Sequence, residues 1–312
     1  MSYTGEILSL IVACMWTVTA LASEIGTKRL GVIGLNVWRL GLATVFTAVL
    51  LFVLTGSPYP VYADGKTWLW MSLSGFVGFF LGDWCLFKSY IHIGSRYGQL
   101  FMTLAPAATA IAAWMTLGQS ITAMNVVAMI VTLTGIAITV LGRGEGGKSI
   151  SVKLPLKGIL LGIGAGIGQG CGLVLSKIGM NHYTEALDVA GISGMENVVP
   201  FASNMIRCIV GFICFALVVL LNGDIKKWWD DSHDRKGMTA MLVAVIFGPF
   251  IGVALSLMAV QFTAAGIAST LMALTPILII LPSYWLFKTP VNAKGIIGAV
   301  ISCIGVSLFF LL

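Results

Sequence analysis

Charge is what this sequence has least of. Only 10% of its 312 residues are Asp, Glu, Lys or Arg, against 58% hydrophobic. Its mean hydropathy is +0.99. A soluble domain carries about a quarter of its residues as charges, so a water-covered globule is excluded. Histidine is scarce too. The three, His92, His182 and His233, lie in or beside different loops, and no metal site is expected. The six cysteines (Cys14, Cys85, Cys171, Cys208, Cys214, Cys303) include no C-x-x-C and read as small packing residues. Among the glycines of 158–172 the G-x-G-x-x-G order is absent and no strand precedes them, so they do not read as a phosphate-cradling loop. The cluster of Ser, His and carboxylate that an enzyme would place at the membrane interface is missing as well, so neither a catalytic residue nor a cofactor is expected. The apolar/polar alternation of a membrane barrel is also lacking. The first apolar stretch has no basic leader or small-residue cleavage site, so it does not read as a removable signal peptide.

What is present is long apolar sequence. At about 20 residues per crossing, ten helices are predicted near 5–24, 34–54, 68–90, 97–118, 124–141, 158–177, 201–221, 239–261, 267–286 and 294–312. Hydrocarbon leaves no partner for an open backbone, so each span must be helical. The predicted class is an all-α integral membrane protein whose solvent is the lipid bilayer. Counting alternate loops, one side carries Lys28, Arg29, Arg96, Arg143, Lys148, Lys153, Lys157, Lys226, Lys227, Arg235, Lys236, Lys288 and Lys294. The other side carries Lys66 and Lys177. The positive-inside rule assigns the rich side to the cytoplasm. A multi-pass inner (plasma) membrane protein with both termini extracytoplasmic is therefore expected. The net charge of +6 is loop charge beside anionic lipid rather than a nucleic-acid footprint. Trp68, Trp70, Trp228 and Trp229 at span edges read as interfacial anchors.

The chain also repeats itself. Residues 78–138 align without a gap to 248–308 at an offset of 170, bringing Gly78/Gly248, Gly82/Gly252, Pro106/Pro276 and Gly135/Gly305 into register. Asn36-x-x-Arg39 corresponds to Asn204-x-x-Arg207, and Ser23-Glu24-Ile25-Gly26 to Ser176-Lys177-Ile178-Gly179. The shift in offset between these pairs predicts an inserted loop over 178–200. Two units of five helices result, over residues 1–142 and 158–312. An odd number of helices turns the second unit upside down relative to the first, which is the inverted repeat of many secondary transporters.

Two five-helix units, an arginine early in the second helix of each and a proline midway along the fourth resemble the EamA-type branch of the drug/metabolite transporter superfamily. That resemblance implies ten helices around a central cavity lined mainly by the first, third and fourth helices of each unit. It also implies secondary transport of small metabolites, most often export. Many relatives keep both termini in the cytoplasm, whereas the loop charges here place them outside. Uptake by the same machinery ranks second, and a non-transporting membrane protein, such as a lipid-handling enzyme or an assembly subunit, third.

Charges inside spans mark the candidate site, because a mid-bilayer charge costs about 2.5–3.5 kcal/mol on insertion scales. Glu24, Arg39 and Asp83 approach one mouth, with Lys88 nearby. Either Arg39 or Lys88 neutralises the acids, or a carboxylate exchanges protons as the coupling ion. Val253 stands at the repeat position of Asp83 and Lys177 at that of Glu24, so coupling belongs to the first half. Arg39 and Arg207 either steer an anionic group or snorkel to the interface. Gly158, Gly162, Gly166 and Gly170, interleaved with Gly164, Gly168 and Gly172, read as close-packing faces. Gln169, aligned with Trp16, could reach a small-molecule substrate there. Pro106 and Pro276 are expected to kink their helices and free the carbonyls of Met102 and Met272. Trp16, Tyr97, Trp114 and Tyr284 lie deep enough to stack on a solute, with core packing the plain alternative.

Overall fold

The computed structural model describes residues 3–118, 122–141, 154–262, 271–288, 291 and 293–311, and among them every regular element is a helix. α1 (Thr4–Leu30) and α2 (Val32–Thr55) meet at Gly31. α3 (Gly65–Ser74) runs through a π-helical stretch, Gly75–Gly82, into α4 (Asp83–Phe101), and then through a 3₁₀ turn, Met102–Leu104, into α5 (Ala105–Leu117). α6 (Ala123–Leu141) ends the first half. The second half has α7 (Leu156–Val189), α8 (Val199–Leu221), the short α9 (Ile225–Asp231) and α10 (Arg235–Val245). A second π-helical stretch, Ile246–Phe250, leads to α11 (Gly252–Phe262), followed by α12 (Thr275–Leu278), α13 (Ile280–Phe287) and α14 (Ala293–Leu311).

Among the described residues, six segments are long and apolar enough to cross a bilayer: Thr4–Leu30, Val32–Thr55, Gly65–Thr116, Leu156–Val189, Val199–Leu221 and Arg235–Ala259. Shorter apolar helices cover Ala123–Thr139, Thr275–Phe287 and Ala293–Leu308. Large apolar side chains such as Val49, Phe52 and Val53 on α2 and Leu217 and Leu220 on α8 face outward. Only a surrounding hydrocarbon makes such a surface stable.

The helices depart from the sequence-based boundaries in three places. α1 continues to Leu30, past the charges of Glu24, Lys28 and Arg29, because a helix end at the interface lets lysine and arginine reach water. The expected loop over 178–200 is largely helix, since α7 runs for 34 residues to Val189. The third and fourth expected spans are separate helices with no loop between them: within Gly65–Thr116 helical geometry breaks at the single residue Gly94, with φ 76° and ψ 164°. That left-handed φ suits glycine alone, and it turns the chain back without a loop. Arg143, Lys148 and Lys153, the first residues of the expected ninth span and the terminal Leu312 lie outside the described residues.

The glycines of α7 work as two packing faces. A Cβ on Gly168 would lie 2.9 Å from the Cα of Gly82, and one on Gly172 would lie 3.0 Å from that of Gly78. On the other face, a Cβ on Gly162 would meet the Phe101 ring at 2.6 Å and one on Gly166 the Phe101 carbonyl at 2.7 Å. α7 is thereby wedged between the third and fourth spans of the opposite half. α6 and α14 pack against each other through the repeat mates Gly135 and Gly305, where even a methyl group would clash. All six cysteines are free thiols.

Candidate functional site

Between the halves lies a cavity of about 960 Å³. Its walls come from α1 (Trp16, Thr19), the π stretch and α4 (Phe79, Asp83, Phe87, Tyr90), α5 (Pro106, Thr109), α7 (Gln169, Lys177), α8 (Arg207) and the region around Pro249 and Pro276. The cavity extends past Asp188, Glu196 and Val199, so it opens on the face where α7 ends and α8 begins.

Two π-helical stretches shape its inner wall. Widening a helix to i→i+5 bonding displaces its carbonyls, and such bulges collect at functional sites. At the first, Gln169 donates to the Gly78 carbonyl at 3.2 Å and to an Asp83 carboxylate oxygen at 2.8 Å. At the second, Asn204 donates to the Pro249 carbonyl, and Gly248 leaves helical geometry at φ −98°, ψ −105°.

The charged centre consists of three buried side chains. Arg39 pairs with Asp83 and also donates to Asn36 Oδ1 from Nε at 3.2 Å and Nη2 at 3.0 Å. Arg207 is 4% exposed, its Nε has no acceptor and its guanidinium lies 4.3 Å from the Phe79 ring centre. Arg39 stacks similarly on Phe87 at 4.7 Å. Aromatic faces thus hold both cations where water is scarce. Two guanidinium groups against one carboxylate, +2 − 1, leave the centre at +1 when all three are ionised.

Among the described residues, a set of contacts closes the opposite face. Glu24, 3% exposed, takes the Lys28 ammonium at 2.5 Å and the Ser95 amide at 2.6 Å. Ser95 follows the Gly94 bend, so the carboxylate sits at a helix start, where unpaired amides favour an anion. Arg29 reaches Asp234 at 2.8 Å, tying α1 to the start of α10. Trp38 stacks on Trp228 with centroids 5.1 Å apart and donates to Ser232 at 2.7 Å. Asp234 also accepts from the Gly237 amide at 3.0 Å. That hydrogen bond, and then Arg29, hold its carboxyl below the ordinary 3.8.

Of the residues expected at the site, Trp16, Arg39, Asp83, Gln169 and Arg207 come together in the cavity wall, with Pro106 and Pro276. Glu24 does not join them and belongs to the closed face. Lys88 turns onto the Trp84 ring at 4.4 Å, and Tyr97 is buried beside Arg96 and Leu100, away from the main cavity. Trp114 and Tyr284, 54% and 46% exposed, point outward. The carbonyls expected to be free before the prolines are both occupied. Met102 accepts the Ala105 amide within the 3₁₀ turn, and Met272 accepts the Thr275 hydroxyl at 2.9 Å. Phe79 and Pro249 were not singled out as site contacts from the sequence, and the cavity-lining Tyr90 and Gln99 share a hydrogen bond of 2.7 Å. Tyr90 and Gln99 meet only because the chain folds back at Gly94.

Comparison with known proteins decides the family. The model of the EamA-like transporter family matches the chain twice, over residues 3–141 and 156–311. The chain belongs to the EamA-like transporter family. No curated protein matches this EamA-like chain in sequence. One solved crystal structure of a protein is similar over 100% of this chain and 98% of its own, with a TM-score of 0.60 at 15% identity. At that identity the likeness concerns the fold alone. This EamA-like protein is thus a multi-pass membrane protein built on a two-repeat helical plan.

Proposed function

We infer that the protein is a secondary active transporter of small metabolites, working by alternating access between two inverted units of five membrane helices. The helix break at Gly94, taken as the boundary between two crossings, supports the ten spans that the EamA plan suggests. The observation that carries the reading is the buried set Arg39–Asp83–Gln169 and Arg207, held at the wall of a cavity that extends to Asp188 and Glu196 at one face. Loop charges assign the open face to the outside and the shut face to the cytoplasm, making this an outward-open state in the inner membrane. Asp83 is the proton-exchanging group: it is the acid buried at the cavity wall, and protonating it would release Arg39. The family resemblance favours export, with protons returning in exchange.

A second reading, uptake of an anion together with a proton, is favoured by the +1 charge of the centre. An anion bound there strengthens proton binding at Asp83, so the two would travel together. Labelled metabolites in proteoliposomes, with and without a pH gradient, separate the readings. Accumulation against an opposing proton gradient supports exchange. Accumulation along it supports co-transport. Flux independent of pH for every substrate carried would remove Asp83 from coupling.

A further inference from the structure

We propose that Arg207 alone is the anchor for the substrate's charged group, and that this group is a single carboxylate on an otherwise apolar small molecule. The inference rests on the transporter reading above and adds the chemical class of the cargo.

The two arginines occupy equivalent places in the repeat but different electrostatic situations. Arg39 is committed: its Nη2 serves both Asp83 and Asn36, and its Nε serves Asn36. Its charge is cancelled locally by Asp83, which is further held by Gln169 at 2.8 Å. At the matching position of the second half, Val253 replaces the acid, and it lies in the cavity wall. Arg207 is accordingly buried to 4% exposure with an Nε that donates to nothing. Leaving such a donor idle inside a protein costs free energy, and a ligand oxygen that accepts from it recovers that cost. Arg207 lines the cavity, so a solute can supply the oxygen.

The charge count selects the class of anion. With Asp83 ionised the centre carries +1, which one carboxylate neutralises. A phosphate monoester, with nearly two negative charges at neutral pH, would leave an uncompensated charge in a dry site or have to pull Arg39 from Asp83. The planar guanidinium fork matches a carboxylate in two parallel hydrogen bonds. The walls select the rest of the molecule. Trp16, Phe79, Leu86, Phe87, Met102 and Met272 present apolar surface, while Tyr90 and Gln99 already satisfy each other at 2.7 Å. Lys177 is the rival cation. It lies eight residues beyond Gln169 on α7, toward the open face, and is exposed, so water screens it and an anion there loses little hydration.

Three probes of one shape test this: phenylacetate, its neutral amide phenylacetamide, and phenyl phosphate. Binding to the full-length purified protein in lipid nanodiscs is followed by tryptophan fluorescence, alongside the melting temperature of the unliganded sample. The wild type is expected to bind phenylacetate at least about tenfold more tightly than either other probe, as for a ligand that satisfies a buried donor. Arg207→Gln should erase that preference while melting as the wild type does. Should Arg207→Gln fold poorly, Arg207→Lys, which keeps the charge without the fork, should retain part of the preference. Lys177→Gln should retain it in full. Failure of phenylacetate to bind, equal binding of carboxylate and amide, or a preference lost in Lys177→Gln and kept in Arg207→Gln would each overturn the assignment. Flux of the labelled probes in proteoliposomes separates the two levels. Carboxylate binding at Arg207 without flux would sink the transporter reading and leave the site. Flux restricted to neutral or cationic solutes would sink the site and leave the transporter.

Discussion

Arg39 and Asp83 form an ion pair inside the helix bundle, each side chain about 5–6% exposed, joining α2 to the first residue of α4. Asp83 follows directly on the π-helical stretch, so the pair links the deformed helix of the cavity wall to its neighbour. A buried pair of this kind stabilises little in total, because desolvation offsets attraction, but removing one partner costs about 3–5 kcal/mol.

Asp83→Asn keeps the shape and the hydrogen bonds from Arg39 and Gln169 but cannot exchange a proton. The variant is expected to fold and to bind substrate, and to lose flux driven by a pH gradient. Glu24→Gln should leave that coupling intact, since Glu24 lies away from the cavity. Gradient-driven uptake into vesicles checks both. Full coupling in Asp83→Asn would make Asp83 a structural partner of Arg39 only.

Arg39→Lys should lower the melting temperature, because one ammonium cannot serve Asp83 and Asn36 through the same two-nitrogen edge. Arg207→Lys should melt near the wild type and weaken substrate binding instead. Melting and affinity measured on the same samples decide this. Equal, silent behaviour of both variants would mean that only charge and reach matter, as for interfacial anchors.

Glu24→Ala should loosen the closed face by removing the acceptor of both Lys28 and the Ser95 amide. A cysteine placed at Thr27, 2% exposed, reports this in a background with the six native cysteines replaced. A membrane-impermeant maleimide should label Thr27→Cys slowly in the parent and at least several-fold faster in Glu24→Ala. Asp234 is held below 3.8 by the Gly237 amide and Arg29, so its contribution is present above 3.8 and is lost only as pH falls through the lowered value. A change in flux near neutral pH therefore has another source, and Asp234→Asn should leave it in place.

Gly168→Val would drive side-chain atoms into Gly82, whose Cα lies 2.9 Å from the position of a Cβ. Overpacking of this kind costs about 1–3 kcal/mol, and here it also moves Gln169 off Asp83. A lowered melting temperature together with impaired transport is expected. Normal transport would show that Gln169 does not need its place.

A reporter fused after Leu312 should be active outside the cytoplasm, as should one in the Pro58–Pro60 turn that joins α2 to α3. Reporters in the α8–α10 connection should be active inside. The reverse pattern would exchange the two faces and make the structure inward-open.

The membrane class, the repeat and the family were readable from the chain itself. Hydropathy follows from composition, and glycine and proline constrain backbone wherever they stand, so Gly78/Gly248 and Pro106/Pro276 kept their register without knowledge of contacts. Arg39, Asp83, Gln169 and Arg207 were conspicuous because polar groups are rare and expensive in such helices. Which of them meet was a tertiary matter. The sequence grouped Glu24 and Lys88 with Asp83 because all three approach one end of their helices. Helix rotation sends Glu24 to the Ser95 amide and Lys88 onto Trp84 instead. Trp114 and Tyr284 looked deep by position along the chain yet face outward, since depth in a bilayer says nothing about which side of a helix faces the core. The length of α7 and the unshared Nε of Arg207 come from packing across halves, which local sequence does not encode.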